Sequence, residues 1–255
     1  MGLNMAVCIK MVPATGAVSV NQKDFTLERK KTEMVPNPAD CSCFETALRL
    51  KEKYGGSVAL ISMGRPETES QLRALAAVGG DSFFLITDPA YAGADTYATA
   101  RVLCRAIQYL GGIDLILCGE RTTDGETGQV GPELSAMLGW KFAGCITALE
   151  MLPEGKMRCT GRTGISEYPL PLAVSVRRNC VLRYPGLKGL RRAGQVAVNQ
   201  LNAELLQERP QSLTRVISMQ RKEVSRRKAV LCPADESGIL DLFGKLGLDR
   251  AFPEK

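Results

Sequence analysis

The chain has 255 residues, 45% of them hydrophobic, a formal net charge of +6 and no histidine. It is long enough to bury a full α/β core with an appendage. No apolar run approaches the about 20 residues that cross a bilayer, and the start lacks a basic, then apolar, cleavable leader, so a cytoplasmic protein without membrane insertion is expected. The absence of histidine excludes Ser/His and Cys/His nucleophile pairs, imidazole proton shuttles and His-ligated zinc, so any chemistry here is expected to be a cofactor's.

In chain order, Met5 to Val12 reads as a buried strand, and Asp40 to Lys53 as a helix with apolar Phe44, Ala47 and Leu48 at helical spacing. Ser57–Met63 is the next strand, Glu67–Val78 the next helix, Ser82–Thr87 the third strand, and about Ala94 to Leu110 a long helix. Ile113–Cys118 is the fourth strand. This βαβα rhythm predicts a mainly parallel, Rossmann-like sheet with helices on both faces, whose ligands sit at the carboxyl ends of the strands. Past Trp140, segments Cys145–Leu152 and Lys156–Thr163 flank Pro153-Glu154-Gly155 as a hairpin, and Pro171–Arg177 is one more strand, so antiparallel additions are expected. Residues 1–193 read as the nucleotide-binding domain and 194–255 as an extended arm with a terminal helix, Gly238–Leu246.

Nine cysteines without a C-x-x-C pair are read as reduced thiols, and Cys41-Ser42-Cys43 as filler, so no metal site is expected. The positive charge gathers late, around Arg177-Arg178, Arg183 to Arg192 and Arg221 to Lys228, with Tyr184 the lone aromatic among it. That pattern favours a solvated or protein-docking face over nucleic acid.

The loop after the fourth strand, Gly119 to Pro132 (GERTTDGETGQVGP), has glycines at 119, 125, 128 and 131 and runs into a helix-like segment, Glu133–Leu138. Strand, small-residue loop and helix start form a seat for a phosphate, with Thr127 suited to the N-cap; taken alone, an ordinary capped βα loop is equally compatible. A second segment, Val35-Pro36-Asn37-Pro38-Ala39-Asp40, is a stiff helix entry whose Asn or Asp can cap the helix or reach a ligand. A Gly/Ser-rich loop straight after the first strand, as an adenylating enzyme needs, is replaced by Lys10-Met11-Val12-Pro13, and the G-x-G-x-x-G of a nicotinamide dehydrogenase is missing.

Taken together, the strand exit Lys10-Met11-Val12-Pro13, V-P-N-P-A-D before a helix with Glu45, D-G-E-T-G-Q-V-G-P, and Arg183-Tyr184-Pro185-Gly186-Leu187-Lys188-Gly189 resemble the beta (small) subunit of electron transfer flavoproteins. The resemblance covers nearly the whole chain, from Met5 to at least Ala193. It implies an adenine-nucleotide site made by Cys8, Asn37, Pro38, Ala39, Asp40 and Met63, with a phosphate-facing loop of Thr122, Thr123, Asp124, Gly125, Thr127, Gly128, Gln129 and Val130. It also implies a heterodimer with an alpha subunit that carries FAD, an arm packed on that subunit, and Leu187 as the anchor for a docking dehydrogenase, acyl-CoA or related. The loop composition resembles the anaerobic, electron-bifurcating members, which hold a second FAD in this site. NADH is then the electron donor, and ferredoxin or flavodoxin takes one electron while the alpha-subunit FAD passes the other to the dehydrogenase. The alternative is AMP as a structural ligand, leaving this subunit a scaffold rather than an NADH-oxidising site. No side chain is assigned a catalytic role. Asp124 and Glu126, awkward beside a diphosphate, are expected to face outward, cap the turn or bond a ribose hydroxyl.

Overall fold

The computed structural model describes residues 2–14, 33–217 and 231–247, and the backbone of residues 19–20 and 27–28. The chain divides into two compact units, residues 1–217 and 218–255.

In the first unit the chain runs β1 (Leu3–Cys8), β2 (Met11–Pro13), β3 (Ser19–Val20), β4 (Leu27–Glu28), β5 (Met34–Pro36), α1 (Pro38–Tyr54), β6 (Gly56–Met63), α2 (Thr68–Ala76) and β7 (Ser82–Ile86). It continues through α3 (Thr96–Leu110), β8 (Leu115–Gly119), α4 (Val130–Leu138), β9 (Lys141–Leu152), β10 (Lys156–Gly161), β11 (Gly164–Pro169), β12 (Leu172–Val176), α5 (Leu187–Ala193), β13 (Asn199–Leu201) and α6 (Ala203–Leu206). The main sheet has the order β11-β10-β9-β12-β8-β1-β6-β7-β13. From β9 to β13 every neighbouring pair is parallel, and β10 and β11 add the antiparallel edge. One face buries Phe44 and Leu48 of α1 with Leu72 and Leu75 of α2; the other buries Val102 and Leu103 of α3, Leu134 of α4 and Leu206 of α6. The expected two-faced, mainly parallel fold is the one observed.

This order places the ligand edge. The chain builds outward from β1 through β6 to β7, then returns over α3 to lay β8 on the other side of β1. Adjacent βα connections therefore diverge between the carboxyl ends of β1 and β8, the crevice where open α/β sheets bind ligands. Cys8 and Gly119 close those two strands.

Several boundaries differ from the sequence reading, each for a local reason. The first strand stops at Cys8, not Val12, because Lys10 leaves the sheet: its N–H goes to the Asp40 carboxylate (2.8 Å) and its carbonyl accepts from Asn37 N–H (2.9 Å). Met11–Pro13 then pairs antiparallel with Met34–Pro36 in a separate ribbon. Helix α4 begins at Val130, with Gln129 rather than Thr127 at the cap position and no side-chain cap bond. Gly128, at φ +63°, turns the chain between Thr127 and the helix. Residues 199–206, expected to belong to an arm, instead pack on the sheet: β13 pairs with β7, and Leu201, Ala203 and Leu206 are buried.

The second unit contains α7 (Glu236–Leu246), capped by Asp235, whose side chain accepts from Gly238 N–H (2.8 Å). The basic stretch Arg221 to Lys228 lies outside the described residues. Among the described residues, no helix is long and apolar enough to cross a membrane.

Candidate functional site

Three side chains of the first βα unit grip the loop that follows β8. Asn37 is fully buried and Asp40 is 4% exposed. Neither caps α1. Asn37 Nδ2 donates to Asp40 Oδ1 (3.0 Å) and to the carbonyl of Arg121 (3.0 Å), while its Oδ1 accepts from Thr123 N–H (3.3 Å). Asp40 Oδ1 accepts from Gly119 N–H (3.1 Å) and its Oδ2 from Lys10 N–H (2.8 Å). The fourth grip is the Lys10 ammonium on Asp124 Oδ1, 2.7 Å away. The two motifs that stood out in the sequence are thus parts of one hydrogen-bonded clasp. Burial raises the Asp40 carboxyl to about 6, against the opposing pull of Lys10 N–H, Asn37 and Gly119 N–H, which favour the carboxylate.

Gly119 is required by this contact. A Cβ there would lie 2.2 Å from Asp40 Oδ1 and 2.9 Å from Ala39 Cβ. Beyond the clasp the loop turns outward: Glu126 N–H closes a turn on the Thr122 carbonyl (3.0 Å), Glu126 takes φ +52°, and Thr123 and residues 125–129 are exposed. From Thr127 to Gly131 the backbone N–H groups have no hydrogen-bond acceptor among the described residues, and Pro132 has no N–H to offer. The first bond of α4 runs from Glu133 N–H to the Gln129 carbonyl (3.0 Å). These free donors, at the positive end of a helix, are the groups that bind phosphate elsewhere.

On the α3/α4 side of the same edge, Cys8, Met63 and Val130 are partly buried apolar groups. Ser62, on the opposite face of β6 from Met63, is 1% exposed and its Oγ lacks a partner among the described residues; so does Glu133 Oε2, although Glu133 Oε1 accepts from Thr96 (3.2 Å). The carboxyl edge therefore carries an apolar surface, an outward row of N–H donors and two orphaned polar atoms. Of the residues expected in the site, hydrogen bonds bring Asn37, Asp40, Thr123 and Asp124 together. Cys8 and Met63 end the adjacent strands β1 and β6, and Pro38 and Ala39 form the first turn of α1. Gly125, Thr127, Gly128 and Gln129 line the outer loop. Asp124 turns onto Lys10, with its side chain 4% exposed. Lys10 was not among the expected site residues; 114 positions separate it from Asp124, and nothing in local spacing signals the pairing.

Leu187 belongs to a different surface. It opens α5, 81% exposed, near Tyr184 at 92%. The preceding chain is anchored to α1: Ser42 Oγ donates to the Cys180 carbonyl (2.7 Å), and the Arg183 backbone N–H and guanidinium donate to Glu45, with a further pairing to Glu52. Burial works to raise the Glu45 carboxyl, but the hydrogen bonds from Arg183 and Arg49 outweigh it and hold the group below its ordinary value. Arg192 fastens α5 to the end of α2 through the carbonyls of Ala76 and Gly80, each at 2.9 Å. A groove of about 540 Å³ along α3, lined in part by Tyr97, Arg101 and Arg105, is separate from this edge, and Arg101 is already paired with Glu208 (3.0 Å).

The electron transfer flavoprotein domain matches residues 24–206. The chain belongs to the electron transfer flavoprotein family, beta-subunit type. An electron transfer flavoprotein subunit beta from Thermoanaerobacterium thermosaccharolyticum is 38% identical over 194 residues, 74% of each chain. Protein FixA of Azotobacter vinelandii is 32% identical, covering 76% of this chain and 72% of its own. The acryloyl-CoA reductase electron transfer subunit gamma of Anaerotignum propionicum is 41% identical over 139 residues, 53% of this chain and 52% of its own. The family match spans Asn37, Asp40 and the loop they hold in this electron transfer flavoprotein chain, together with the segment bearing Leu187, while Lys10 lies before it.

Proposed function

We propose that this chain is the beta subunit of a bifurcating electron transfer flavoprotein, holding FAD at the β1/β8 crevice and passing electrons from NADH. One electron goes to ferredoxin or flavodoxin; the other crosses the alpha-subunit FAD to a partner dehydrogenase. The observation that carries the reading is the row of N–H groups from Thr127 to Gly131 that have no acceptor among the described residues, at a helix start on the switch-point edge. The residues present suit the group. Those donors fit a diphosphate, and Cys8, Met63 and Val130 offer an apolar surface for a ring. When bound, a flavin supplies hydride acceptance and one-electron transfer. The chain's own work is to bind and orient: the N–H row neutralises phosphate charge, and the Asn37/Asp40 clasp holds the loop at a fixed height above β1 and β8.

Leu187 and Tyr184 form the dehydrogenase-docking anchor, ringed by Lys188 and Arg191. A relative named for an acryloyl-CoA reductase supports a partner of that class. In the second unit, α7 exposes Ile239, Leu242 and Leu246 at helical spacing, and this apolar stripe packs on the alpha subunit. A second reading uses the same N–H row for AMP, whose single phosphate needs fewer donors; the subunit is then a scaffold. Flavin counting on the purified heterodimer separates the two. Two FAD per heterodimer supports bifurcation here, one FAD with one AMP supports the scaffold, and a heterodimer with no nucleotide beyond the alpha-subunit FAD refutes both.

A further inference from the structure

Past α6 the chain runs back along α3 and is fastened as it goes. Arg105 Nε donates to the Leu206 carbonyl (3.3 Å), Arg101 pairs with Glu208 (3.0 Å), and the Tyr91 hydroxyl donates to the Glu208 carbonyl (3.2 Å). The last fastening is on Asp95, the N-cap of α3. Its Oδ1 caps the helix by accepting from Ala98 N–H (2.9 Å). Its Oδ2 accepts three bonds from outside the helix: Leu213 N–H (2.8 Å), Thr214 N–H (2.9 Å) and Thr214 Oγ1 (3.0 Å). Asp95 N–H in turn donates to Ser212 Oγ (3.0 Å), which donates to the Gly93 carbonyl (3.3 Å). The bonds to the carboxylate, led by that from Ala98 N–H, hold it below its ordinary value.

What this staple holds is apolar and stands in water: Leu213, Val216 and Ile217 are between 61% and 88% exposed. The segment belongs to no strand or helix, so Asp95 supplies the acceptor that a sheet neighbour would otherwise give. Holding apolar side chains in solvent gives the isolated chain no burial, but it spares a partner the entropy of ordering them. We infer that Asp95 is a positioning residue for assembly with the alpha subunit: its second carboxylate oxygen fixes Leu213 and Thr214, so that Leu213, Val216 and Ile217 form a preset apolar contact for that subunit. The occupant follows from the course of the chain. Ile217 is the last residue of the first unit, and the next residue begins the unit whose α7 stripe was assigned to the alpha subunit above. The inference rests on that assignment of the arm.

Serine separates the two duties of Asp95, because its one oxygen still caps α3 and leaves none for Leu213 and Thr214. The full-length chain is mixed with separately purified alpha subunit and pairing is measured by sedimentation, with hydrogen exchange and urea unfolding read on the chain alone. Asp95→Ser should expose the Leu213 and Thr214 amides to exchange, keep the unfolding midpoint, and weaken pairing about tenfold, the scale of the charge-assisted bonds removed. Asp95→Asn, which also keeps a cap oxygen, serves in its place if Asp95→Ser does not fold. Leu213→Asp with Ile217→Asp should weaken pairing about thirtyfold or more. If Asp95→Ser pairs as wild type while the double variant fails, the role of Asp95 is overturned and the arm assignment stands. A double variant that pairs as wild type overturns the arm assignment at this segment and the inference with it. A wild-type chain that dimerises with itself through these residues overturns the choice of occupant.

Discussion

Replacing Gly119 by alanine should break the clasp, and the size of the effect follows from three distances. The added Cβ would meet Asp40 Oδ1 at 2.2 Å, Ala39 Cβ at 2.9 Å and Asp40 N at 3.1 Å. Non-bonded heavy atoms prefer roughly 3.5–4 Å, so the carboxylate must retreat by more than about 1 Å. It cannot do so freely, because Lys10 N–H, Asn37 Nδ2 and Gly119 N–H hold it. Overpacking of this kind costs about 1–3 kcal/mol, and one of these donors left without an acceptor about 1–3 kcal/mol more. A loss of about 2–6 kcal/mol is expected, a large share of a typical domain's stability of about 5–15 kcal/mol. Gly125→Ala is the matched control. Its Cβ would touch only Thr122 Oγ1, at an ordinary 3.7 Å, so the change should stay within about 1 kcal/mol. Urea unfolding followed by fluorescence of the single tryptophan, Trp140, reads both variants. Unfolding of Gly119→Ala within 1 kcal/mol of Gly125→Ala, allowing about that margin for context, would refute the clasp as a structural necessity.

Leu187→Glu should abolish reduction of the partner dehydrogenase, a loss of at least about 2 kcal/mol in docking, and leave the unfolding midpoint unchanged; undiminished electron transfer would remove Leu187 from the docking surface. Glu45, held below its ordinary value of 4.5 chiefly by Arg183 against the opposing effect of burial, gives stability that is full above that value and lost as pH falls through its folded pKa. Glu45→Gln should flatten the acid limb of a stability-against-pH curve, and an unaltered limb counts against the Arg183 anchor. Asp40 has the opposite sign: burial raises it from 3.8 to about 6, so stability falls as pH rises through that interval, by about 3 kcal/mol at neutral pH. Carbon-13 chemical shifts of the Asp40 carboxyl should titrate near 6, and a midpoint at or below 4 contradicts the burial argument.

The core of the fold was legible wherever one element carried its own pattern. Helix α1 announces itself by Phe44, Ala47 and Leu48 at helical spacing, although Pro36 and Pro38 read as a stiff turn that puts its start at Asp40, two residues late, and β8 by an unbroken apolar run. The short additions were not. Among β13's three residues only Leu201 is buried, too little for any periodicity. Lys10 sits inside a stretch as apolar as the strand before it, yet Asp40 and Asn37 take its backbone out of the ladder. Asn37 and Asp40 were recognisable as special, but their chemistry was not: a polar residue at a helix entry suggests a cap, and the structure sends both side chains to partners as far away as Thr123, 86 positions along. The glycines of the outer loop looked alike in sequence. Only contacts distinguish Gly119, pressed against a carboxylate, from Gly125, where a side chain would meet Thr122 Oγ1 at an ordinary distance.

The most direct test of the central claim is a crystal structure of the chain with its partner subunit, isolated with its bound nucleotides. Phosphate density within hydrogen-bond distance of the N–H groups between Thr127 and Gly131, with the Asn37/Asp40 clasp intact beneath it, is the result expected. Nucleotide bound elsewhere on the chain, with those donors turned to water, would contradict it.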